Sequence, residues 1–190
     1  MEHGHTVEQI RERLSLPTRP DHLKDCVYGG IDGAVTTFAI VAGVQGAGLS
    51  PTIIIILGIA NVIADGFSMA ASNYSATKAE LDDRARLREI EKNHIRNNPE
   101  GEREETRQIL RRKGLGEKTV EPALDDISRD EDNWIEMMLV DEYGKAPTDP
   151  DPRASALVTF AAFLVCGLIP LSPFFLYFSD PFTISIFTTG

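Results

Sequence analysis

Cysteine is scarce in this chain: there are two, Cys26 and Cys166, far apart and outside any C-x-x-C pair. That excludes a disulfide framework and a cysteine-ligated zinc site, and leaves both as small apolar residues. No period-2 alternation of apolar and polar residues stands out, so no sheet is expected. No internal repeat is visible. Residues 1–20 have no apolar run before a small-residue cleavage site, so they are not a signal peptide, and the first apolar stretch must itself direct insertion. Within them, His3-Gly-His5 reads as part of a polar tail that Pro17 and Pro20 close. Basic residues are missing from two long regions: all 19 Lys and Arg lie before Val27 or within 75–153.

What fills those regions is apolar. A mean hydropathy near zero hides a mosaic. Stretches 27–49, 52–74 and 154–178 are each long enough to span a bilayer, for which about 20 apolar residues suffice. The stretch between the second and third is strongly charged. The chain therefore reads as an all-α, polytopic membrane protein. It has three complete transmembrane helices, the start of a fourth at 181–190, and a helical domain inserted between spans two and three. The expected organisation is a tail at 1–20, spans one and two within 21–74, a polar helical domain at 75–153, and span three with the start of helix four at 154–190. An apolar segment that stops abruptly suggests a C-terminally truncated chain.

The distribution of Lys and Arg places the N-terminus and the 75–153 domain in the cytoplasm. That domain carries more acid than base, which argues against a nucleic-acid partner. Span two is expected to run on as a polar helix until Asn97-Asn98-Pro99 ends it. Further helices are expected over 100–113 and 120–127. Ser128-Arg-Asp-Glu131 has the spacing of a capping box ahead of an amphipathic helix. Pro170 and Pro173 are expected to kink or break span three.

Each of the first two spans holds an acid in its interior, Asp32 and Asp65. A carboxylate at that depth costs on the order of 2.5–3.5 kcal/mol and usually lines an ion path or meets a partner. Gly29, Asp32, Gly33, Thr36, Gly43 and Gly46 recur at helical spacings on one face. Close packing explains the glycines but not the acid. In span two, Asn61, Asp65 and Met69 form a second polar stripe. Carboxylate, amide oxygen and thioether on one face suit a borderline divalent cation, the sulfur favouring transition metals over magnesium or calcium. A carboxylate of raised pKa can hold a proton when empty and give it up to a metal. That competition is the minimal physics of a proton-coupled exchanger.

The charged domain carries a second constellation. Glu91 and His94 share a helical face at i, i+3, and Glu102 and Glu105 repeat the spacing on the next helix. Met137, Met138 and Asp141 add sulfur and carboxylate on the last. Each piece alone is more often a solvated or core face than a site.

The motifs Val27-Tyr-Gly-Gly-Ile-Asp-Gly33, Gly58-Ile-Ala-Asn-Val-Ile-Ala-Asp-Gly-Phe-Ser-Met-Ala70 and Gly167-Leu-Ile-Pro-Leu-Ser-Pro-Phe174 together resemble the vacuolar iron transporter family. The resemblance runs from about residue 21 to the end. It implies a homodimer of five-span protomers, with a metal path between the two copies of span one. It implies export of Fe(II), with Mn(II) as a second candidate, from the cytosol in exchange for protons. Asp32 and Met69 fall on the family's pathway acid and methionine. Asn61 stands where some members carry glutamate, and Asp65 lies one turn on. The domain ligands matching the family would be Glu91, His94, Glu102, Glu105, Met137, Met138 and Asp141, with His94 and Asp141 in place of glutamates. No cofactor is required; the bound or carried ions would be Fe(II), Mn(II) or Zn(II). The partners implied are a second copy, the lipid bilayer, divalent transition metals and protons. A bacterial inner membrane is the expected host, or a vacuolar membrane in a eukaryote. Two alternatives stand beside the transporter: a membrane-anchored metal sensor, and a di-iron ferroxidase. The latter usually needs two Glu-x-x-His motifs, and only Glu91-x-x-His94 is present.

Overall fold

The computed structural model describes residues 5–15, 22–176 and 180–189. His3, Pro17 and Pro20, named above, and the last two positions of the 154–178 stretch lie outside the described residues. Those described form eight α-helices and no strand: α1 (Val7–Ser15), α2 (Leu23–Gly46), α3 (Pro51–Asn97), α4 (Pro99–Arg112), α5 (Glu117–Ile127), α6 (Glu131–Asp141), α7 (Pro152–Phe175) and α8 (Pro181–Thr189). Two compact units are formed. One comprises Pro20–Ala79 and Pro150–Gly190, the other Met1–Arg19 and Glu80–Asp149.

In the apolar unit, α2, the first part of α3, and α7 are long and apolar enough to cross a membrane. Their outer faces remain apolar: Phe67, Leu157 and Val165 are 69%, 68% and 65% exposed. A face of that kind needs a non-aqueous neighbour. The inner faces meet at Val41 and Val44 of α2, Ile54 and Val62 of α3, and Leu171 and Phe174 of α7. Two glycines let α2 lie directly on α7. A Cβ at Gly29 would sit 2.4 Å from the Thr159 carbonyl oxygen, and one at Gly33 2.5 Å from that of Phe163. Gly48, at φ +68°, makes the turn from α2 to α3 in a conformation other residues rarely adopt.

Helix α7 runs through Pro170 and Pro173 without the break that is one of the two outcomes expected from sequence. Pro173 has no N–H to give the Ile169 carbonyl, and Ser172 Oγ donates to that oxygen instead at 2.8 Å. Ser185 Oγ, from α8, donates to the Pro170 carbonyl at 2.9 Å. The Ser172 hydroxyl thus supplies the donor that Pro173 lacks, and the Ser185 bond ties α8 to α7.

In the polar unit, α4 and α6 pack on the end of α3, and α5 packs on α4 and α6. Leu87 of α3 packs on Ile135 and Leu139, and Ile109 on Trp134 and Met138. Arg84 and Arg88 both pair with Glu136, and Arg88 reaches Asp132 at 2.6 Å, tying α6 to α3. The cap of α6 differs from the capping box read at Ser128. Asp130 accepts the Asn133 N–H at 3.2 Å and starts the helix. Ser128 Oγ is engaged instead by Arg103 at 3.0 Å.

Candidate metal centre

Glu91 and His94 lie one turn apart near the end of α3, so the helix alone puts them on one face. The chain then reverses at Asn98, whose side chain accepts the Gly101 N–H at 3.3 Å and caps α4. Pro99 occupies the first helical position, where a missing N–H costs nothing. This reversal returns Glu102, in the first turn of α4, to the end of α3. His94 Nδ1 stands 3.4 Å from Glu102 Oε1 and 3.6 Å from Glu91 Oε1. One ligand atom from each of Glu91, His94 and Glu102 lies within 4.8 Å of the others. A divalent ion bound at about 2.0–2.2 Å holds its ligand atoms roughly 3–4.4 Å apart. The three side chains thus need to close by only a few tenths of an ångström.

The carboxylates are deeply placed: Glu91 is 1% and Glu102 3% exposed, whereas the His94 side chain is half exposed. Tyr143 donates its hydroxyl to Glu91 Oε1 at 2.8 Å. The second oxygens, Glu91 Oε2 and Glu102 Oε2, are buried without a hydrogen-bond partner. Burial, then the charges of Glu91 and Glu105, push Glu102 up to about 8. Two buried acids with bare oxygens are costly unless a cation or proton joins them.

Of the other residues singled out from sequence, Glu105 is exposed and lines a cavity of about 290 Å³ with Gln108 and Glu142. Met138 is wholly buried with Ile109 and Trp134, and Met137 is half-buried against the same cluster. Behind Glu102, Trp134 Nε1 donates to Thr106 Oγ1 at 2.7 Å, and that hydroxyl donates to the Glu102 carbonyl at 2.8 Å. Asp141 is paired with Lys113 at 2.7 Å. From sequence, Tyr143 belongs to the amphipathic stretch after Glu131, and neither it nor Glu142 is marked as a site residue. Burial and the charges of Glu91 and Glu105 raise the Glu142 carboxyl. Burial and the bond to Glu91 raise the Tyr143 phenol.

The apolar unit holds a separate cavity of about 620 Å³, lined by Asp25, Asp32, Met69, Asn73 and Thr159 among others. Asp32 and Met69 are both half-buried there. Asn61 donates to Thr36 Oγ1 at 3.3 Å, and half-buried Asp65 is not part of the lining. Asn73 donates to Asp25 Oδ1 at 2.9 Å and Thr159 Oγ1 at 2.7 Å, and His22 Nδ1 lies 3.0 Å from Asp25 Oδ2. The sequence reading missed Asp25, although it precedes Asp32 by two helical turns and shares its face.

The profile of the VIT family matches residues 23–190. A vacuolar iron transporter of Plasmodium falciparum (isolate 3D7) is 34% identical over 177 residues, 91% of this chain and 64% of that protein. Vacuolar iron transporter 1 of Tulipa gesneriana is 33% identical over 159 residues, 83% of this chain and 64% of that protein. Vacuolar iron transporter 1 of Arabidopsis thaliana is 32% identical over 160 residues, 84% of this chain and 64% of that protein. The chain spans from 53% to 65% of the length of such relatives.

Proposed function

The chain belongs to the VIT family, and from that premise we propose that this integral membrane protein carries iron, as Fe(II), out of the cytosol in exchange for protons. Mn(II) is a second substrate on the same chemistry. The unit comprising Glu80–Asp149 lies in the cytoplasm and collects the ion at Glu91, His94 and Glu102. Glu105 and Glu142 add negative charge beside them. Two carboxylates and an imidazole suit borderline first-row divalent ions rather than magnesium. The ion then crosses the membrane past Asp32 and Met69, between the α2 helices of two copies. Asn61 and Asp65 extend that path along α3. A bacterial inner membrane is the proposed host.

The observation that carries this reading is the pair of bare, buried oxygens on Glu91 and Glu102 beside the half-exposed His94. Glu102, at about 8, is largely protonated at neutral pH, so an arriving metal must displace a proton. The cavity at Asp32 and Met69 favours a carrier over a sensor, which has no use for an acid in the membrane.

The test is flux. The full gene product is placed in vesicles containing a pH dye, and an inward Fe(II) gradient is imposed. Metal entry with matching proton exit, lost in Asp32→Ala, is the expected result. Metal binding without flux in the unmutated protein would turn the reading to a sensor.

A further inference from the structure

We propose that the groove between α3 and α7 on the outer face of the apolar unit is a binding site for one anionic phospholipid, with its phosphate on Arg153 and an acyl chain along the helices. The groove encloses about 500 Å³ and is lined by Phe67, Ala70, Tyr74, Leu157, Phe160 and Arg153, with three further small residues. It exists because the helices carry small side chains where they approach. A Cβ at Gly66 would lie 3.2 Å from the Phe160 ring, and Ala70 and Ala71 continue the α3 wall. From Phe67 to Tyr74 the wall is about 10 Å long, room for part of an acyl chain.

Charge identifies the occupant. Arg153 is exposed at the start of α7, and its guanidinium makes no ion pair among the described residues. Most arginines of the polar unit, Arg84, Arg88, Arg103 and Arg107 among them, are paired with carboxylates. Asp151, two residues earlier, is turned to the helix start, accepting the Arg153 backbone N–H at 2.9 Å. A planar fork of donors beside an apolar channel matches a phosphate ester with a hydrocarbon tail. The ligand would come from the cytoplasmic leaflet, where anionic lipids are abundant. In that respect the inference rests on the membrane orientation proposed above.

The test uses the full gene product in detergent micelles, titrated with equal phosphatidylglycerol and phosphatidylcholine and read by native mass spectrometry. The expected result is retention of phosphatidylglycerol about tenfold over phosphatidylcholine, the scale of one charge-assisted hydrogen bond. Arg153→Gln should bring the two lipids near parity. Ala71→Phe, which fills the groove from an exposed position, should lower retention of both. Equal retention by the unmutated protein, a preference that survives Arg153→Gln, or no effect of Ala71→Phe would each overturn the site. Protease cleavage of the Glu80–Asp149 unit in inverted membrane vesicles separates the two readings. Cleavage with no lipid preference loses only the lipid site, whereas a protected unit overturns the orientation and the leaflet inferred from it.

Discussion

Lowering the pH from 7 to 6 should weaken metal capture at Glu91, His94 and Glu102 about ninefold. The magnitude comes from Glu102, whose carboxyl is pushed up to about 8, by burial first and then by the charges of Glu91 and Glu105. The free carboxylate is then about one site in eleven at pH 7 and about one in a hundred at pH 6, so apparent affinity drops by ~1.3 kcal/mol. Glu142, raised by the same surroundings, steepens the trend. The assay is calorimetric titration of Mn(II), which resists oxidation, into the full gene product carrying Asp32→Ala so that the membrane cavity contributes little. Running it in two buffers of different ionisation enthalpy counts protons, and about one should leave per metal at pH 7. An affinity flat between pH 6 and 8, or no proton released, would refute the reasoning.

The same shift fixes the sign of a stability effect. A carboxyl raised above its ordinary value of 4.5 favours the fold as the neutral acid. That contribution is full below 4.5 and is lost as the pH climbs towards 8. The metal-free protein should therefore soften between those limits, and added Mn(II) should restore most at the upper end. Glu102→Gln should flatten both the pH trend and the rescue.

Asp32→Ala should abolish vesicle flux while leaving Mn(II) capture by the polar unit intact, as flux and calorimetry on one preparation would reveal. Gly33→Leu should part α2 from α7, because even a Cβ would lie 2.5 Å from a backbone oxygen; the expected outcome is loss of the folded species in detergent by size exclusion. Thr106→Val leaves the indole N–H of Trp134 buried without its acceptor, at a cost of about 1–3 kcal/mol. Trp134 is the single tryptophan of the chain, so its fluorescence during denaturant unfolding reports that loss directly.

Long apolar runs made the three membrane-length helices legible, because length and the absence of Lys and Arg need no tertiary information. The continuation of α3 to Asn97 was legible for the same kind of reason: no breaker precedes Asn98-Pro99. What sequence misjudged depended on partners distant in the chain or on competing local bonds. The prolines of α7 do not break it, and the Ser172 hydroxyl serves the Ile169 carbonyl that Pro173 cannot. Ser128 loses the capping role to Asp130 because Ser128 still closes α5 in a helical conformation, whereas Asp130 is the extended residue ahead of α6. At the candidate site, the i, i+3 pair Glu91 and His94 could be read from one helix. The arrival of Glu102 depended on the reversal at Asn98. The roles of Glu142 and Tyr143 at the site escaped because α6 ends at Asp141, with Glu142 its C-cap. Past that point a 3.6-residue period no longer says which side chain faces which.

The treatment of buried acids separates scaffold from site more sharply than residue type does. Asp25 is largely buried, yet each of its oxygens has a neighbour, Asn73 for one and His22 for the other. It joins α2 to α3, and through Asn73 to α7, and the fold supplies what the charge needs. Asp141 and Glu136 are likewise met by Lys113 and by Arg84 with Arg88. Glu91 and Glu102 are more deeply placed than any of these, and they alone keep a buried carboxylate oxygen bare among the described residues. Yet the polar unit is well supplied with arginine. Acids retained only for stability would be expected to be met by such groups, or replaced by apolar residues at little cost. Two buried carboxyls beside a half-exposed imidazole need a proton or a cation between them, and because that proton can be exchanged for a metal, this is the physical case for reading this corner of the fold as the place where the metal is first held.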